Sequence, residues 1–570
     1  MADLLFSHVI NEPSGGDTSY YEGLYPPRDI PREAAVTRLG PSPTGFIHLG
    51  NLYTAFMNEK LSRQTGGIFY LRIEDTDNKR EVEGAALSLI TSLRHFGVSF
   101  DEGVSIGADM KIIERGAYGP YHQSQRREIY HAYARRLIIE GKAYPCFMTE
   151  EELDEIRSEQ ESNRETPGVY GKYAKYRDIT AEQAGNLLRG ENKYVIRLNA
   201  DAANSAAGGA LPLGGAAYAS DEKGTVTVVD GIRGRLTFPK NEMDVVLLKS
   251  DGIPTYHFAH VIDDHLMRTT HVIRGEEWLS SLPIHLQLAD TLGFTPPVYC
   301  HSTVLMKIEN GKKRKLSKRK DPELSLEYYR EEGYHPQAIL EYLLTVINSN
   351  FEEWRDANPN APISEFKMTT EKMGVSGILF DLDKLEDVSK NVLARIPASD
   401  LADFMIRWAR LNREDVYSAI ADDAGRLVKI LDIGRSGDKP RKDLAYASQI
   451  WDFIKYFYDD YFEIADPWPE NVPPGDVIAI LKSYDASFNL DDDRDTWFAK
   501  IRQIAKMGGY AEKPKDYKRE PEKYKGHVGD VSTVIRIALV GRANSPDIYE
   551  IQQILGADEV RMRLAYAQEA

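Results

Sequence analysis

The sequence predicts an α/β chain, a doubly wound nucleotide-binding sheet split by an insert and followed by an all-helical C-terminal third. Three observations carry this. Short apolar runs alternate with helical spacing from residue 35; the alternation lapses between about residues 119 and 244 and then resumes; almost only helical periodicity follows Leu324.

Taken in order, residues 1–34 lack the basic, apolar start of a signal peptide and the Arg-rich character of a transit peptide, and form an N-terminal extension without an assigned role. Residues 35–39 predict a short buried strand, the turn-rich 40–45 a loop, and 49–63 a helix. A second strand is expected at 68–73 and a second helix at 83–96, where apolar residues recur at helical spacing. Charged helices at 150–165, a Gly/Ala-rich stretch at 200–219 and a strand at 226–229 belong to the insert. Strands at 245–248 and 271–274 restart the sheet, and helices are expected at 336–346, 401–411 and 530–540. The Lys-, Tyr-, Pro- and Glu-rich segment 513–525 reads as a solvated loop in preference to an RNA contact.

At 570 residues the chain exceeds the roughly 250–300 residues at which single cores stop growing, so several domains are expected. A composition 42% hydrophobic and 28% charged suits a soluble globular protein, and no apolar run reaches the ~18 residues of a membrane span. Cys146 and Cys300 are the only cysteines, too few for a disulfide framework or a four-cysteine metal site, which fits a reducing, cytoplasmic location. The net charge of -17 argues against broad non-specific binding to nucleic acid. Any RNA contact must use local basic patches.

Two short motifs carry candidate chemistry: His48-Leu49-Gly50-Asn51, just after a strand and loop, and Lys315-Leu316-Ser317-Lys318-Arg319, far downstream. Alone, the first also fits an ordinary helix start and the second a solvated basic loop. The first, however, falls where a strand's carboxyl end meets a helix amino terminus, a place where unpaired N–H groups and the helix dipole favour phosphate. There Gly50 would let the adenine and ribose of ATP lie on the backbone, and His48 would donate to a phosphate. Lys315 and Lys318 would neutralise the phosphates while a substrate carboxylate attacks the α-phosphorus, with no protein nucleophile required.

Residues 37–51 (TRLGPSPTGFIHLGN) and Leu71-Arg72-Ile73-Glu74-Asp75-Thr76-Asp77 resemble the opening of bacterial-type glutamyl-tRNA synthetases, class I enzymes. The resemblance continues through residues 123–126 (QSQR), 251–257 (DGIPTYH), 261–265 (VIDDH), 273–278 (IRGEEW) and 315–319 (KLSKR), and runs from about 35 to 570. It implies a split Rossmann-type domain, an inserted α+β acceptor-end-binding domain and an all-α anticodon-binding region. The expected boundaries are 35–118 and 245–323 for the two catalytic halves, 119–244 for the insert, 324–395 for a helical stem-contact domain, and 396–570 for the anticodon region. An all-helical end resembles the bacterial glutamyl enzymes, whereas glutaminyl and archaeal or eukaryotic glutamyl enzymes carry β-barrels there.

Carried over residue by residue, the resemblance implies that Arg38, with Tyr256, binds the side-chain carboxylate of glutamate, a pairing suited to a planar guanidinium. Ser42 and Glu74 would hold the α-ammonium and Arg274 the α-carboxylate. Thr44, His48, Gly50, Lys315 and Lys318 would bind ATP, and Asn51, Ser317 and Arg319 complete the catalytic motifs. Asp251 and Trp278 fall near the ATP site or the incoming tRNA end. In isolation Arg38 and Glu74 also fit an ion pair between neighbouring strands. The implied substrates are L-glutamate, ATP with Mg2+ and tRNA(Glu), with no membrane partner, in a monomer. Some family members hold zinc through clustered Cys and His near the acceptor-binding region. Cys146 has no second cysteine nearby, so no structural zinc and no other protein-bound metal is expected.

Rival readings are a synthetase that also charges the glutamine tRNA, which stays open; a short paralogue ending near the second motif, which the length argues against; a non-catalytic tRNA-binding relative, against which His48, Lys315 and Lys318 are present; and a general nucleotidyltransferase, which would share the two motifs without an anticodon domain.

Overall fold

The computed structural model describes residues 16–43, 45, 47–76, 82–190, 192–206, 218–220, 224–317, 319–435, 437 and 440–569. It divides into two compact units, residues 1–326 with 340–381 and residues 327–339 with 382–570.

The first unit is built on β1 (Val36–Leu39), β2 (Ile68–Leu71) and β3 (Glu102–Ile106), parallel in that order, with β4 (Ile112–Arg115) antiparallel at the edge. Every position of β1 is buried, as in a strand covered on both faces, which is why it reads as a run and not as an alternation. Helix Leu49–Thr65 carries the chain from β1 to β2. Its entry is fixed by Asn51, whose Oδ1 accepts from the His48 backbone N–H at 2.9 Å. Its exit is fixed by Gly66, whose φ of 68° a side chain would strain. Helix Ala85–His95 follows β2.

Within residues 119–244, β5 (Ala143–Cys146) and β6 (Val195–Leu198) pair antiparallel, and β7 (Tyr218–Ser220), β8 (Thr225–Asp230) and β9 (Gly234–Pro239) form a second small sheet. The Gly/Ala-rich stretch begins as helix Ala200–Ala206; residues 207–217 lie outside those described. β10 (Val246–Leu248) pairs with β6 and not with the parallel sheet, where it was expected. Three apolar residues suit either sheet. Here the chain turns back at once through Gly252 at φ 77°, with Lys249 N–H donating to Ile253 O and Thr255 N–H to Leu247 O, each at 2.9 Å.

Parallel pairing resumes with β11 (His271–Gly275) and β12 (Val298–Ser302), and Thr270 N–H donates to Val36 O at 3.0 Å, setting the start of β11 beside β1. The two parallel-stranded segments therefore meet at β1 and β11. β13 (Leu305–Glu309) and β14 (Lys312–Lys315) form a hairpin leading into the downstream basic motif. β15 (Ile378–Leu379) adds to β13 in parallel and interrupts the helical run expected after Leu324.

Part of the N-terminal extension is ordered against this unit. Asp17 caps helix Thr18–Leu24; Glu22 then accepts from Tyr133 (2.9 Å) and Arg268 (3.1 Å), Tyr25 donates to Gly119 O (2.8 Å), and Arg28 binds Glu102 through both guanidinium arms at 2.9 and 3.1 Å.

In the second unit every element described from Leu382 to Glu569 is helical. Helix Ala398–Asn412 buries Leu401, Met405 and Trp408, a helical stripe, and helices Pro474–Ser487, Arg494–Met507 and Val528–Val540 add Leu481, Ile501, Val531 and Ile535 to the same core. Segment 513–525 is not a loop throughout: it forms the short helix Pro514–Arg519, opened by its proline, and a single turn Pro521–Lys523.

Candidate active site

The loop after β1, the entry of helix Leu49–Thr65 and the end of β11 converge on two adjoining cavities in the first unit. The larger, about 1030 Å³, is lined by Arg38, Ser42, Glu74, Asp251, Tyr256, Arg274 and Trp278, every glutamate-pocket and tRNA-end residue expected from the sequence. The smaller, about 450 Å³, is lined by His48, Gly50, Asn51, Lys315 and Ser317. Asn51, Thr54, Gly275 and Glu277 border both, so a ligand in one can reach a ligand in the other. Arg319 is exposed and lines neither. Thr44 and Lys318 lie outside the described residues.

Arg38 and Glu74 do not pair with each other. Arg38 Nε lies 3.3 Å from Asp264 Oδ1 and Nη2 3.4 Å from Oδ2, while Glu74 Oε1 accepts from Arg72 Nη2 at 2.9 Å. Arg72 Nη1 donates to Asp264 Oδ1 at 2.7 Å and so links the two. All four side chains are buried. Burial opposes ionisation of Asp264, but the guanidinium groups of Arg38 and Arg72 hold its carboxyl well below the usual range. Burial pushes the Glu74 carboxyl up, against the pull of the same two arginines. Gly40 has room for no side chain, since a Cβ there would sit 2.3 Å from Glu74 Oε1.

Arg274 is 4% exposed and has a different environment. Its Nε donates to His301 Nε2 at 3.0 Å and its Nη1 lies 3.1 Å from His285 Nδ1. Burial lowers the pKa of both imidazoles and the Arg274 guanidinium lowers both further, at His301 against the opposing hydrogen bond to Asp230. Nη2 has no hydrogen-bond partner among the described residues. A buried cation thus touches no carboxylate, a costly state unless a ligand supplies the counter-charge. Tyr256 packs against Trp278 at 4.3 Å between centroids, tilted by 35°, and stacks on His260 at 5.4 Å, forming an aromatic wall.

On the other side, Lys315 ends β14, and the Ser317 backbone N–H is held by Asp321 Oδ2 at 2.8 Å. Arg314 clamps Asp321 with two bonds of 2.6 and 2.7 Å, which brings that carboxyl down to about 2. The basic loop is therefore anchored at both ends of its turn. Gly50 serves His48 as well as the cavity, because a Cβ there would lie 2.8 Å from His48 Nδ1.

Arg72, Asp264, His260, His285, His301 and Asp230 were given no role from the sequence. Signals for them existed. Arg72 and Glu74 stand two apart at the end of a strand and so share a face; Asp263-Asp264 is the only carboxylate pair of a helix whose other residues are apolar, aromatic or histidine; and six of the 13 histidines fall between 257 and 301.

A family model for the class I tRNA synthetases (E and Q), catalytic domain, matches residues 34–208 and 218–379. The chain belongs to that family. A second model, an anticodon binding domain, matches residues 518–568 of this synthetase. It is 52% identical over 565 residues to a glutamate–tRNA ligase of Acetivibrio thermocellus, spanning 99% of this chain and 98% of that one. It is 45% identical over 568 residues to a glutamate–tRNA ligase of Clostridium perfringens, 99% of each. Among solved structures, a glutamate tRNA ligase from Elizabethkingia meningosepticum, crystallised in complex with its amino acid, superposes with a TM-score of 0.70 at 26% identity, over 94% of this chain and 100% of that one.

Proposed function

We propose that this synthetase is a glutamate–tRNA ligase. It activates L-glutamate with ATP, releasing pyrophosphate, and then transfers the glutamyl group from the adenylate to the 3′-terminal adenosine of tRNA(Glu), releasing AMP. The observation that carries the reading is the charge pattern of the larger cavity. Arg274 touches two neutral imidazoles and the Tyr299 ring, and beside it Arg38, Arg72, Glu74 and Asp264 form a balanced set. Arg274 therefore has no carboxylate in direct contact, with Asp230 one imidazole further away; Lys249, Asp251 and Glu277 also line the cavity. The α-carboxylate of glutamate supplies the counter-charge that Arg274 lacks.

In this reading Arg38 and Tyr256 take the side-chain carboxylate, Glu74 and Ser42 the ammonium, and Arg274 the α-carboxylate. ATP enters as its magnesium complex in the smaller cavity, with its phosphates near His48 and Lys315 and with Lys318 and Thr44 completing the contact. The shared border at Asn51 and Gly275 then supports in-line attack of the α-carboxylate on the α-phosphorus. The insert 119–244 receives the acceptor end, residues 324–395 contact the stem, and the helical region from 396 reads the anticodon, a reading that the match of 518–568 to an anticodon binding domain supports. The enzyme acts as a monomer. Among the described residues no helix is long and apolar enough to cross a membrane. Incubating the purified protein with radiolabelled pyrophosphate, ATP, glutamate and tRNA should give glutamate-dependent label in ATP; none above a glutamate-free control would refute the proposal.

A further inference from the structure

The side chains behind Arg274 form a chain that leaves the nucleotide-binding fold. Arg274 Nε donates to His301 Nε2 at 3.0 Å, so that nitrogen carries no proton, and His301 Nδ1 lies 2.6 Å from Asp230 Oδ2. The ring must then be the neutral Nδ1–H tautomer, donating to Asp230. Asp230 ends β8, in the insert, where its Oδ1 also accepts from the backbone N–H groups of Ile232 and Arg233, both at 2.9 Å. Both the His301 and Asp230 side chains are buried.

We propose that Asp230 and His301 are positioning residues for Arg274, through which the β8–β9 hairpin of the insert sets the affinity for glutamate. The inference rests on the glutamate reading of the cavity. The imidazole does two things at once. It transmits the orientation imposed by Asp230 to the guanidinium, and it keeps the carboxylate one ring-width away, so the charge of Arg274 is not quenched and Nη2 remains for a ligand. His285 acts in the same way from the other side: its Nδ1 lies 3.1 Å from Arg274 Nη1 and its Nε2 3.0 Å from His257 Nδ1. Direct contact of Asp230 with Arg274 would hold the arginine as firmly and leave no charge for the substrate.

The test is aminoacylation of tRNA with glutamate and ATP varied separately, beside a thermal melt, for wild type, Asp230→Asn, His301→Leu and His301→Gln. Asp230→Asn and His301→Leu should raise KM for glutamate roughly tenfold or more, the scale of one hydrogen bond to a charged group, while KM for ATP changes less than about twofold. His301→Gln, whose amide can accept from Arg274 and donate to Asp230, should recover most of the loss. A merely structural role would shift both KM values and the melt together, with no recovery by glutamine, and would overturn the proposal. Should His301→Leu not fold, Asp230→Asn with an unchanged KM for glutamate overturns it by itself. A wild type that does not charge glutamate would instead remove the underlying reading of the cavity.

Discussion

Asp264 Oδ1 accepts from Arg72 Nη1 at 2.7 Å and lies 3.3 Å from Arg38 Nε, so one buried carboxylate from the helix Tyr256–Leu266 holds two arginines of the first half of the sheet. Removing its charge leaves Arg38 with no carboxylate in contact and Arg72 with Glu74 at 2.9 Å and Asp263 at 3.9 Å. Asp264→Asn should cost roughly 3–5 kcal/mol of stability near neutral pH. The folded-state pKa is depressed, so the carboxylate contributes stability above its unfolded value, and that contribution is lost as pH falls through the folded one. The melting-point gap between wild type and Asp264→Asn should therefore be constant from neutral pH to about 4 and narrow below it. A gap that is absent at pH 7, or that widens in acid, contradicts this account.

Arg38 is the second test. Its Nη1 has no hydrogen-bond partner among the described residues, and Arg38 lines the cavity. A guanidinium has only donors, so an amide in place of the substrate's carboxylate would point an NH₂ at it. Arg38→Ala should lower kcat/KM for glutamate by about 10²–10³-fold or more, with KM for ATP little changed. If a folded mutant kept its wild-type glutamate value, Arg38 would be no more than a brace for Asp264.

Lys315, at the border of the smaller cavity, should act on charge developing at the phosphates and not on folding. Lys315→Ala is expected to slow adenylate formation roughly 10²–10³-fold in single-turnover assays with an unchanged melt. Wild-type rates would remove Lys315 from the reaction.

Much of this site was legible from residues near one another in sequence. The loop after β1 and the helix that follows it are marked by Gly40, Pro41, Pro43 and the His48–Asn51 cap, and the 3.6-residue spacing fixes the helices of the second unit. What was not legible depends on pairs far apart in the chain. Arg38 meets Asp264 across 226 positions and His301 meets Asp230 across 71, and neither pairing has a local signature. Short elements failed for a related reason. The apolar residues of β10 fit two sheets equally well, and the turn at Gly252 decides between them; the lysines of 513–525 mask a helix only six residues long.

Cys146 is buried in β5 with Tyr144 and Phe147 nearby and has no cysteine close in sequence. Elemental analysis of the purified protein should find no stoichiometric zinc. One tightly held zinc per chain would contradict that expectation.

On the proposed function, the larger cavity selects glutamate for attachment to tRNA. The most direct measurement charges separated glutamate and glutamine tRNAs with radiolabelled glutamate and, in parallel, with radiolabelled glutamine. tRNA(Glu) should become esterified with glutamate, and kcat/KM for glutamine should be at least about 10²-fold lower, whichever tRNA is used. Equal charging with both amino acids, or charging with neither, would contradict it.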